Sequence, residues 1–148
     1  MKKILFLVMI PVLAHAETPT VGETKDVPPI TVSPGVILKE LTGPSVPGSA
    51  HSEKVSVAFF HLEPGKASAW SYTKVGEESF FVLKGAGEIW IGDHGQSVEA
   101  GSFVVVPPGV VRSVRASKGE SLEFYAVTSP AWSKEDDVMA KAPASFSK

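Results

Sequence analysis

"PGKASAWSYTKVGEESFFVLKG", residues Pro64 to Gly85, is the stretch whose reading decides the fold. Pro64-Gly65 is turn chemistry. Beyond Glu78 come six residues, Ser79 to Lys84, and then a second glycine, Gly85. Phe80 and Val82 point to one side of such a strand, Phe81 and Leu83 to the other, because side chains alternate with a period of two. A related frame follows at once. Gly101 is trailed by Ser102 to Val106, then Pro107-Pro108-Gly109, Val110-Val111 and Arg112.

The chain around these frames is built the same way. "GVILKELTG" (Gly35 to Gly43), "KVSVAFFHL" (Lys54 to Leu62), "GEIWIGD" (Gly87 to Asp93) and "SLEFYAVTSP" (Ser121 to Pro130) are short apolar runs stopped by turn residues. "QSVEAG", "SFVVVPPG" and "VVRSVRAS" supply further runs, with a tight hairpin at Gly92-Asp93-His94-Gly95. This spacing predicts an all-β sandwich or barrel over 35–130. Residues 17–34 read as an extended arm and 131–148 as a tail, with one short helical turn over Ser133 to Met139 capped by Ser133. Several strands are apolar on both faces, so either the arm or a second copy must cover the outer one. The dimer is the preferred reading.

The two frames resemble those of the cupins, small double-stranded β-helix (jelly-roll) domains known for holding a metal in the barrel. The family's first motif runs from a glycine through His-x-His to a glutamate, then six residues to a glycine. Its second runs from a glycine through Pro-x-Gly to a histidine. The resemblance spans Gly35 to about Pro130 and implies a cupin barrel. It also implies that the paired histidines are replaced near Ser71 and Thr73 and the last one by Arg112, leaving Glu78 as the retained ligand. A catalytic metal wants three or four protein ligands, mostly imidazole. One carboxylate beside a permanent cation does not meet that need, so no metal or other cofactor is expected.

The candidate site is then Glu78 with Arg112, facing each other in the lumen as a structural ion pair or as a pocket for a small ligand. In the pocket reading Glu78 and Tyr72 are the candidate catalytic groups. Arg112, Ser71, Thr73, Lys74, Trp70, His61 and Phe80 are the candidate ligand contacts. Alternation turns Ser71 and Thr73 inward, while a register slip of one brings in Tyr72 and Lys74 instead. His61 ends its strand and is the one histidine with a route to the lumen. His51 lies in a Pro/Gly/Ser loop and His94 in the hairpin turn. No Ser-His-Asp arrangement, phosphate-binding glycine loop or HExxH motif is present.

The N-terminus predicts export. Lys2 and Lys3 precede an apolar run, Ile4 to Leu13, and Ala14-His15-Ala16 fits signal-peptidase cleavage. That run is too short to span a bilayer, which takes about 20 residues. Cleavage of residues 1–16 leaves 132 of the 148 residues, with 12 basic and 16 acidic side chains and a formal charge of −4. No basic stripe points to nucleic acid or an anionic membrane. The chain has no cysteine, so no disulfide supports it in an oxidising compartment.

The expectation is a periplasmic or secreted cupin that binds a small molecule, a sugar or an organic acid, without metal. The alternatives are a metal-independent isomerase, epimerase or dehydratase, a metal-dependent dioxygenase or lyase with a non-standard site, and a filled envelope domain that binds a protein partner.

Overall fold

The computed structural model describes residues 20–44 and 47–146. The export signal expected at 1–16 lies outside them. The described chain forms twelve strands and one short 3₁₀ turn, Thr24–Asp26. The strands are β1 (Ile30–Ser33), β2 (Val36–Gly43), β3 (Ala50–His51), β4 (Ser56–Leu62), β5 (Ser71–Thr73) and β6 (Glu77–Lys84), then β7 (Ala86–Ile91), β8 (His94–Glu99), β9 (Phe103–Val106), β10 (Arg112–Ala116), β11 (Leu122–Ser129) and β12 (Asp137–Met139).

They make two sheets. The larger has the order β1-β2-β4-β11-β6-β9, with β3 beside β2, and the smaller the order β12-β5-β10-β7-β8. Every pairing is antiparallel except β2 with β3. The core lies between the sheets and joins Phe80, Val82, Leu122 and Phe124 of one to Ile89, Val98 and Val114 of the other. The double-stranded β-helix expected from the two frames is thus the fold.

The glycines of the frames are turn positions that only glycine fills easily. Gly65, Gly85, Gly101 and Gly109 all have positive φ. Gly109 also docks the second frame onto the first, donating its N–H to Thr73 O at 2.7 Å. The β7–β8 hairpin turns on Gly92-Asp93, with Gly92 at φ 60°.

The tail differs from its reading. Ser133 does act as a local cap, its Oγ accepting from Asp136 N at 3.2 Å. The turn then stops, and Asp137–Met139 becomes β12, an edge strand paired with β5. Local acidic residues favour a helix start, but bonding to β5 outweighs them. Asp136 fixes the junction by accepting from Val75 N at 2.8 Å and Gly76 N at 2.9 Å. The arm contributes as well, since β1 pairs with β2.

The outer face of the larger sheet carries one continuous row of rings. Phe59, Tyr125, Phe81 and Phe103 are register partners across β4, β11, β6 and β9. Phe81 is 46% exposed and Phe103 75%.

Candidate functional site

Strand alternation sends Glu78, Phe80 and Val82 of β6 inward, and Arg112 stands opposite on β10 of the smaller sheet. Arg112 Nε donates to Glu78 Oε2 at 2.6 Å and Nη2 to Oε1 at 2.7 Å. This is a bidentate, charge-assisted fork. Nη1 donates to Ser71 Oγ, whose strand is in register with Arg112. Asp137 of β12 adds a second carboxylate, with Oδ1 3.7 Å from Nη2. That oxygen is buried and accepts no hydrogen bond.

These groups line one side of a cavity of about 380 Å³. Much of the remaining wall is apolar: Ala58, Phe60, Phe80, Val114, Phe124 and Ala126, with Trp132 and the exposed Met139. Phe60 stacks on Phe124 at 5.0 Å, and Phe80 meets Phe124 edge-on at 5.6 Å. On the wall formed by β2 stands another acid, Glu40, only 9% exposed. Burial raises its pKa above the ordinary carboxylate value. A wider cleft of about 600 Å³, beside β7 and β8, contains none of these groups.

Of the residues singled out in the sequence, Glu78, Arg112, Ser71 and Phe80 meet in the cavity. The others do not. Thr73 is buried, but its hydroxyl donates to Gly76 O and holds the β5–β6 turn. Tyr72 points away from Ser71 and Thr73 and pairs with Val138. Lys74 lies at the surface, donating to Glu135 O at 2.6 Å. Trp70 packs edge-on against Trp90 and Phe146. His61 shares the outward phase of β4 with Phe59, and its Nδ1 lies 3.2 Å from Glu123 Oε1. Because Leu62 is the inward residue at that strand end, His61 has no route to the lumen. Sequence reading missed Glu40, Trp132 and Asp137. The one signal for Glu40 was a carboxylate in the inward phase of Val36-Leu38-Glu40.

A metal ion does not fit this donor set. Both oxygens of Glu78 are already held by Arg112, and Ser71 Oγ accepts from the same guanidinium. Among the described residues no three His, Cys, Asp or Glu side chains converge as ligands.

Comparison with solved structures returns the same architecture. Pac13, a nucleoside dehydratase from Streptomyces, superposes with a TM-score of 0.69 at 14% identity, over 84% of this chain and 92% of that one. KdgF from Halomonas sp. gives 0.68 at 15% identity, over 80% and 99%. A double-stranded β-helix protein from Klebsiella pneumoniae gives 0.67 at 20%, over 85% and 100%. At such identities the likeness concerns the fold. No curated protein matches the chain. Residues 58–128, from β4 to the end of β11, match the family described as the cupin domain, which is where both glycine frames and the Glu78–Arg112 fork lie. The protein is a cupin-domain protein.

Proposed function

We propose that the barrel cavity binds a small, neutral, polyhydroxylated ring compound, a sugar or a nucleoside, without a metal ion. The observation that carries this reading is the buried Asp137 Oδ1, which accepts no hydrogen bond although it lies 3.7 Å from a guanidinium that still has N–H groups to give. Arg112 has five N–H groups and spends two on Glu78 and one on Ser71. A ligand hydroxyl can accept from one of the remaining N–H groups and donate to Asp137, satisfying both. Phe60, Phe80 and Phe124 offer apolar contact for a ring. The cavity volume lies at the lower end of the range for small-molecule sites.

Charge favours a neutral ligand over an organic acid. Arg112 already faces Glu78 and Asp137, so an incoming carboxylate would be the third anion around one cation. A nucleoside dehydratase on the same fold supports the ligand class. The test is a thermal-shift and calorimetric screen pairing D-glucose with D-glucuronate and uridine with uridine monophosphate. Binding of a neutral member, weakened by Asp137→Ala, is the expected result. Tight binding of the anions alone would reject the reading.

The chain is further proposed to work outside the cytoplasm, on the strength of Lys2, Lys3, the apolar run and Ala14-His15-Ala16. N-terminal sequencing of the protein made in its host should begin at Glu17. A second copy of the chain is proposed to cover the outer row Phe59–Tyr125–Phe81–Phe103. Contiguous apolar patches of this kind mark association surfaces, and a two-fold axis would set the same row of each copy against the other.

A further inference from the structure

We infer that Glu40 is the cavity's proton-carrying recognition residue, donating a hydrogen bond from its neutral carboxyl to an acceptor oxygen of the bound ligand. The inference rests on the cavity being the ligand site and adds to it the identity of the acceptor-reading group. Glu40 sits where β2 bulges: its partner is Ala58, yet Thr42 pairs with Val57, so Leu41 is the extra residue. Bulges re-aim side chains and recur beside functional sites. Here the bulge adjoins a carboxyl on the cavity wall. Its Oε1 packs over Gly43, where a Cβ would collide with it.

Glu40 differs from the other acids of the cavity by its lack of a partner. Glu78 is neutralised by Arg112, and Asp137 stands beside the same cation. Among the described residues no ion pair or hydrogen bond reaches the Glu40 carboxyl. The elements packed on β2 supply no charge to it. β1 presents Ile30 and Val32 to the cavity, and β4 presents Ser56, Ala58 and Phe60. His51 of β3 is exposed and engaged by Glu53 at 3.2 Å. Lys39, next in sequence, lies in the opposite phase of the strand and donates to Thr24 O at 2.9 Å.

A buried carboxyl without a cation favours its neutral form, in which it is a hydrogen-bond donor. A ligand that excludes the remaining water strengthens that preference. The cavity then has a donor at Glu40 on one wall and an acceptor at Asp137 on another, which suits a ligand bearing both a hydroxyl and a carbonyl or ether oxygen.

The test uses the exported chain with uridine and D-glucose as probes. The Glu40 carboxyl is titrated by ¹³C NMR, identified by its loss in Glu40→Gln, and probe affinity is measured from pH 5 to 9. The expected result is a midpoint above the ordinary carboxylate range and an affinity that falls up to about tenfold per pH unit above it. In Glu40→Gln, whose amide still donates, binding should persist and that fall should vanish. An ordinary midpoint, or a pH profile unchanged in Glu40→Gln, would overturn the inference. Ala126→Leu, which narrows the cavity at a lining residue, separates this from failure of the site itself. If it leaves probe affinity intact, the cavity is not the site and the inference falls with it. If it weakens binding while Glu40→Gln keeps the wild-type profile, Glu40 alone is wrongly assigned.

Discussion

Arg112 and Glu78 join the two sheets of the barrel from the inside, with β10 supplying the guanidinium and β6 the carboxylate. Both side chains are close to fully buried. Removing one partner leaves the other charged and unpaired in a low-dielectric interior, which typically costs about 3–5 kcal/mol. Arg112→Ala should therefore lower the urea midpoint sharply. The double variant Glu78→Leu with Arg112→Met should recover much of the loss, because an apolar pair carries no desolvation penalty. Equal losses in the single and double variants would show that the fork is worth more than its desolvation cost.

The donor set leads to a prediction about metals. With Glu78 Oε1 and Oε2 both engaged, no divalent ion gains enough ligands to bind stoichiometrically. Elemental analysis of untagged protein should find less than one equivalent of iron, manganese, nickel or zinc. The thermal midpoint should also be unmoved by a chelator. Stoichiometric metal whose removal lowers the midpoint would show that ligands converge in a way this geometry does not provide.

Asp136 links the tail to the cavity. Its carboxylate takes two backbone N–H groups from the β5–β6 turn and sits next to Asp137. Hydrogen bonds to a charged group are worth about 1.5–3 kcal/mol. Asp136→Ala should destabilise the fold by about that much for the pair. It should also raise hydrogen exchange at Val75 and Gly76 and weaken probe binding by loosening Asp137. Stability lost with affinity unchanged would separate the tail from the site.

The outer row gives a prediction about assembly. Phe103, the most exposed of its four rings, stands at the edge strand β9 beside Phe81. Light scattering of the wild type should give the mass of a dimer. Phe103→Ser with Phe81→Ser should give a monomer with unchanged strand content. A monomeric wild type at high micromolar concentration would leave the row for another partner.

The frame of this protein was readable because glycine and proline report backbone geometry directly. Gly65, Gly85, Gly101 and Gly109 stand where φ is positive, and their spacing alone outlines the barrel. Ser71 was readable because strand alternation fixes which side chains share the lumen. His61 was not, because "VSVAFFHL" is apolar on both faces and gives no phase; only the pairing of β4 with β2 and β11 sets it outward. Asp137 was hidden for a different reason. Its local sequence favours a turn or helix start, and the strand it enters exists only through β5, more than sixty residues earlier. Glu40 left a readable mark, a charge in the inward phase of an apolar strand, but its isolation depends on neighbours from β1 and β4.

That isolation gives Glu40 a signature in stability that needs no ligand. Its pKa is raised in the folded protein by desolvation. Between the unfolded and folded values the native state therefore binds more protons than the unfolded chain, and unfolding free energy falls as pH rises. Below the unfolded value the carboxyl is neutral in both states and carries no penalty. Above the folded value it is ionised in both, and the cost of a buried charge is fully present. Glu40→Gln keeps the shape and removes the charge. Its thermal midpoint should match the wild type near pH 4 and exceed it from neutral pH upward, with the gap opening across that window. A difference that is the same at all pH values would mean that Glu40 is solvated in the folded protein and ionises there as freely as in the unfolded chain.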